Sequence, residues 1–148
     1  MKIEKYSLKS ESNFTVFEFI SEGPNGLIRK LIQFQKTNQP NLYNLAFGDK
    51  NLETGELDDI VISNNGDSEK VLATVVDSLY AFFDKYPYAS VYVTGSTSAR
   101  TRLYRMGINR FYEEMVQDFI LYGQVGNIFY EFEKDKDYTG FLTERKFD

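Results

Sequence analysis

The chain has 148 residues, 42% of them hydrophobic and 16% aromatic, with 13 Phe and 11 Tyr, which is the usual size of one domain and enough apolar material for one core. It has no His and no Cys, which excludes His-based triads, Cys nucleophiles, tetrahedral zinc sites with those ligands, and disulfides. The net charge of −5 argues against sequence-independent binding of duplex DNA, which depends on a basic excess. No apolar stretch is long enough to cross a bilayer, and Met1-Lys2-Ile3-Glu4-Lys5-Tyr6 lacks the apolar core of a signal peptide. A cytoplasmic protein with no membrane association is expected.

The first half reads as strands. Phe14–Ile20 is rich in aromatic and β-branched residues and runs into Gly23-Pro24-Asn25-Gly26, a strong turn cluster. Leu27–Phe34 returns as a second strand, and Leu42–Phe47 alternates as a half-buried third. A loop from Gly48 to Glu56 leads to a fourth strand at Leu57–Ile62. The clearest helix follows, opened by Asp67 or Ser68 as a cap. Val71, Leu72, Val75, Val76, Leu79, Phe82 and Phe83 lie on one face, and Tyr86-Pro87 stops it.

Ala89–Thr94 reads as a buried strand broken by Gly95. A second helix opens at Ser96-Thr97-Ser98, with Gly107 as its expected C-terminal residue, and a short third helix is expected from Asn109 to Gln117. Phe119–Tyr122 and Ile128–Phe132 read as closing strands, and Asp135–Asp148 as a peripheral segment. With no repeat or linker, residues 1–148 form a single α+β domain. The expected layout is an antiparallel meander followed by β-α-β-α-β, an order resembling ribonuclease H-like domains. The nucleases of that fold place a metal-binding Asp where this chain has Thr94-Gly95-Ser96, so a nuclease is not expected.

Two segments stand out, both where a strand hands over to a helix. If strands 57–62 and 89–94 run parallel, both helices begin at one edge of the sheet, where ligands of such sheets bind. Asn64, Asn65, Asp67 and Lys70 supply one half of a candidate ligand site. Gly95, Ser96, Thr97, Arg100 and Arg102 supply the other: a glycine for close approach, hydroxyls, the positive end of a helix dipole, and arginines with no acid between Gly95 and Tyr112. On a helical wheel Arg100 and Arg102 flank the apolar face and Arg105 points outward. The glycine pattern is neither a P-loop nor a dinucleotide fingerprint, and a capped helix with a solvated basic face explains the same residues. Asp49, Asp58 and Asp59 could join the first segment as Mg²⁺ ligands, although no catalytic residue, resident metal or cofactor is assigned.

Leu45-Ala46-Phe47-Gly48-Asp49, Ser63–Val75 and Gly95–Tyr104 together resemble the signature stretches of a small bacterial family of unknown function. Where that pattern often has Pro, this chain has Ser98. The resemblance implies a shared fold and localisation but no activity. The residues themselves favour an interaction or regulatory module, such as one half of a toxin–antitoxin-like pair with a protein partner. The alternative is a binding protein for a phosphorylated small ligand or a nucleic-acid end, and a metal-dependent phosphoesterase ranks last. Oligomeric state is open.

Overall fold

The computed structural model describes residues 4–11, 13–58, 65–95 and 97–147. Its elements are β1 (Lys9–Ser10), β2 (Val16–Gly23), β3 (Gly26–Lys36), β4 (Leu42–Lys50), β5 (Leu57–Asp58), α1 (Ser68–Lys85), β6 (Ser90–Val93), α2 (Ser98–Asp118), β7 (Phe119–Val125), β8 (Ile128–Glu131) and β9 (Gly140–Arg145). All described strands belong to one mostly antiparallel sheet, ordered β1-β2-β3-β4-β6-β9-β7-β8, with β5 paired to the end of β4.

The alternation read from the sequence builds this sheet. Phe17 and Phe19, Ile32 and Phe34, Tyr43, Leu45 and Phe47, Val91 and Val93, and Phe119 and Leu121 are all buried at alternate positions, which puts them on one face. Both helices cover that face. In α1 the apolar stripe closes onto it, with Phe82 stacked on Phe34 at 4.2 Å between ring centroids. Ion pairing of Arg110 with Glu69 and a hydrogen bond from Tyr80 to Asp118 show that the helices run side by side in the same direction. The opposite face carries no helix among the described residues. Over β2, β3 and β4 it is charged, with Glu18 paired to Arg29 and Lys50. Over β6, β9 and β7 it holds Tyr92, Leu142 and Tyr122 in one cross-strand row.

Four sequence expectations are corrected. The second helix does not stop at Gly107, and the third helix is its continuation. Gly107 lies inside α2 because a Cβ there would come within 2.9 Å of Leu72, so the glycine lets α1 and α2 approach closely. The C-terminal segment is not peripheral, since β9 fills the gap between β6 and β7 and pairs with both. The described part of the fourth strand, β5, runs antiparallel to β4, whereas β6 runs parallel to β4, so β5 and β6 are not parallel; residues 59–62 lie outside the described residues. The α+β class holds, but with β9 between the two strands that follow the helices, these pairings do not establish a ribonuclease H-like order.

Candidate functional site

The parallel pair is β4 and β6, joined by α1, so α1 and α2 both begin at the edge where β4 and β6 end. The route differs from the one the sequence suggested, because the meander's third long strand, not its fourth, is the parallel neighbour.

At the start of α1, Asp67 occupies the capping position without capping the helix. Its carboxylate accepts hydrogen bonds from the hydroxyls of Ser21 (2.5 Å) and Tyr6 (2.6 Å), and the nearby first turn still favours its charge. Asn65 is 2% exposed and locks the turn between β2 and β3: its amide donates to Ser21 Oγ and the Gly26 carbonyl, while its side-chain oxygen accepts from the Asn25 N–H. Lys70 lies 4.2 Å from the Tyr6 ring centroid. Burial and the facing Asp67 carboxylate raise the Tyr6 phenol above its ordinary pKa. Asn64 lies outside the described residues.

At the start of α2, Thr97 is the cap, and its hydroxyl accepts the Arg100 N–H at 3.1 Å. Gly95 packs against the first turn, its N–H donating to Thr101 Oγ at 2.9 Å. Ser96 lies outside the described residues. Arg100 is only 5% exposed and sits above the Phe47 ring, while Arg102 is exposed and has no ion-pair partner among the described residues. Arg105 is half-buried and pairs with Asp137, an acid brought in by the segment before β9.

A row of three rings spans the two helix starts: Tyr6 stacks on Phe19 at 5.5 Å, and Phe19 on Phe47 at 6.2 Å. Lys70 covers one end of the row and Arg100 the other. Openings to solvent divide the residues differently. Lys70 lines a groove of about 410 Å³ with Tyr6, Glu22 and Arg29. Gly95, Thr97 and Arg102 line another of about 600 Å³, with Thr101, Arg105 and Thr139. Asn65 and Asp67 are committed to the fold through Ser21, Gly26 and Tyr6.

Sequence reasoning did not single out Tyr6, Ser21, Asp137 or Thr139, which come from segments distant in the chain and carry no local signal. Asp49 takes the Lys30 ammonium and lies opposite Asp58 across the strand pair. Among the described residues no three carboxylates gather as a metal site, and Asp59 lies outside them. No described helix is long and apolar enough to cross a membrane.

Comparison with curated proteins and with solved structures found no significant match to either. Residues 2–146 match one family, and on that match the chain belongs to the family of unknown function DUF6934.

Proposed function

We propose that this domain binds a phosphorylated small ligand in the groove at the start of α2. The observation that carries the reading is Arg102, exposed on a groove of about 600 Å³ with no ion-pair partner among the described residues, beside the first-turn hydroxyls of α2. Thr97 and Thr101 each accept a backbone N–H, so each keeps its O–H as a donor. A guanidinium, two hydroxyl donors and the positive end of a helix dipole suit a phosphate group. Arg105 does not add to the charge, because Asp137 neutralises it.

The Asn65, Asp67 and Lys70 half of the site plays a different part in this reading. Asn65 and Asp67 hold the start of α1 against the β2–β3 turn, and Lys70 faces the neighbouring groove. A phosphoesterase reading is not adopted, since it needs clustered acids beside the phosphate and, among the described residues, the groove offers only Asp137.

Titration of the protein with phenyl phosphate, followed by amide chemical shifts, tests the proposal. Millimolar affinity with shifts centred on Thr97–Arg105 supports it, as does their loss in Arg102→Ala with the fold intact. Shifts that persist unchanged in Arg102→Ala, or none at all, overturn it.

A second reading, an interaction or regulatory module, is favoured by one observation. Among the described residues no helix or strand covers the sheet face opposite the helices, and its β6-β9-β7 half presents Tyr92, Leu142 and Tyr122.

A further inference from the structure

The two edges of the sheet are built differently. At one edge lies β1, only two residues long, carrying Lys9, with Lys5 just before it. Short, lysine-bearing edges resist pairing with another chain. At the other edge lies β8, and all four of its residues are exposed: Ile128 is 57% exposed, Phe129 40% and Tyr130 51%, with Glu131 closing the strand. It carries no Lys and no Pro. From Phe119 to Tyr130 the chain holds no charged residue at all, in a protein that is 26% charged.

The hairpin of β7 and β8 turns tightly, with Val125 opposite Ile128 and Gly126 at φ +62°, so β8 stands at the rim with one row of backbone groups facing outward. Phe129 lies on the open sheet face, where it meets Tyr92 edge-on at 6.0 Å, while Ile128 and Tyr130 lie on the other face.

We propose that β8 pairs antiparallel with the β8 of a second copy, joining two sheets across a two-fold axis. Charge selects this occupant and this place. Two copies carrying −5 each repel one another over most of their surface, and the uncharged 119–130 hairpin is where they can approach without that repulsion. Register supports it as well. With the axis at Tyr130, Tyr130 of one copy faces Tyr130 of the other on one face of the joined sheet, and Phe129 faces Glu131 on the other. The two glutamates therefore never oppose each other, and the aromatic pair sits at the centre. This inference is independent of the phosphate groove, which uses other residues.

Sedimentation velocity of the full chain over a range of concentrations tests it. The wild type is expected to show a concentration-dependent monomer–dimer equilibrium. Tyr130→Lys places like charges across the proposed axis and is expected to weaken self-association by about tenfold or more, with unchanged circular dichroism and melting temperature. Lys9→Glu at the opposite edge is expected to leave it unchanged. Should Tyr130→Lys fold poorly, Ile128→Lys, at a side chain more than half exposed, carries the same test. A wild type that stays monomeric throughout overturns the proposal, whatever else binds this edge. A dimer of undiminished affinity in a folded Tyr130→Lys or Ile128→Lys variant overturns it equally.

Discussion

The guanidinium of Arg100 lies over the ring of Phe47, its central carbon 5.5 Å from the ring centroid, with the residue almost wholly removed from solvent. Read from the sequence alone, Arg100 is a ligand-binding arginine at the mouth of a site. In the fold it is part of the joint between α2 and the sheet, and Arg102, two residues on, is the arginine that faces solvent.

Arg100→Ala is therefore expected to lower stability. Losing the cation–π contact and the packing of the aliphatic stem costs about 1–3 kcal/mol. At this chain length that corresponds to a fall of roughly 2–12 °C in melting temperature. Arg102→Ala, at an exposed position, is expected to stay within about 0.5 kcal/mol of wild type. Thermal unfolding of the two variants side by side checks the contrast, and equal melting temperatures would contradict it.

Tyr6→Phe removes one of the two hydroxyls that the Asp67 carboxylate accepts. The expected cost is about 1.5–3 kcal/mol, the range for hydrogen bonds to a charged group. The loss should also loosen the N-terminal segment, whose other ties to α1 include the Tyr6 N–H to Thr74 Oγ and the ion pairs of Lys5 with Asp77 and Glu4 with Lys70. Hydrogen exchange at the Tyr6 amide should accelerate in the variant while exchange in the middle of α1 changes far less.

Alkaline pH is expected to destabilise the fold through two tyrosines. Burial and the neighbouring Asp118 carboxylate raise the Tyr80 phenol, and burial and Asp67 raise that of Tyr6. With the folded pKa above the unfolded one, the unfolded chain loses its protons first as pH rises. The stabilisation is then complete below about pH 10, the ordinary tyrosine value, and is lost as pH climbs toward the folded values. Denaturant unfolding above and below that pH should show the decline, and Tyr80→Phe should make it shallower. A Tyr80→Phe profile parallel to wild type would rule out Tyr80 as a source.

Gly95→Ala is expected to damage the start of α2. A Cβ at this position would lie 2.4 Å from the backbone nitrogen of Thr101, and backbone cannot swing aside as a side-chain tip can. The cost expected is about 1–3 kcal/mol or more. Thr97→Ala, which removes only the cap, should cost about 0.5–2 kcal/mol. Equilibrium unfolding gives both numbers, and a neutral Gly95→Ala would show that the loop has another conformation open to it.

The elements that sequence alone located are those whose signal is local. The stripe from Val71 to Phe83 marks α1, and the alternation in the first strands marks β2, β3 and β4, because burial on one face imposes a period on neighbouring residues. Gly107 misled for a related reason. A glycine after an apolar run has the same local appearance whether it ends a helix or lets another helix approach, and only the Leu72 side chain beside it distinguishes the two.

The candidate site divides along the same line. Its two helix starts were legible from Asp67 and from Thr97 with its hydroxyl neighbours, since capping is a local need. What each polar group touches was not legible. Asp67 turns away from its own helix to Ser21, 46 positions earlier, and Arg105 is neutralised by Asp137 from the far side of two strands. Composition and periodicity determined the α+β class, the apolar face of each element and the absence of His and Cys chemistry. The tertiary structure alone decided that β9 enters between β6 and β7, that β4 is the parallel partner of β6, and that Arg100 is buried while Arg102 is exposed. The reason is physical: a period reports that a face is covered, whereas the identity of the cover depends on contacts between residues far apart in the chain, which leave no trace in local spacing.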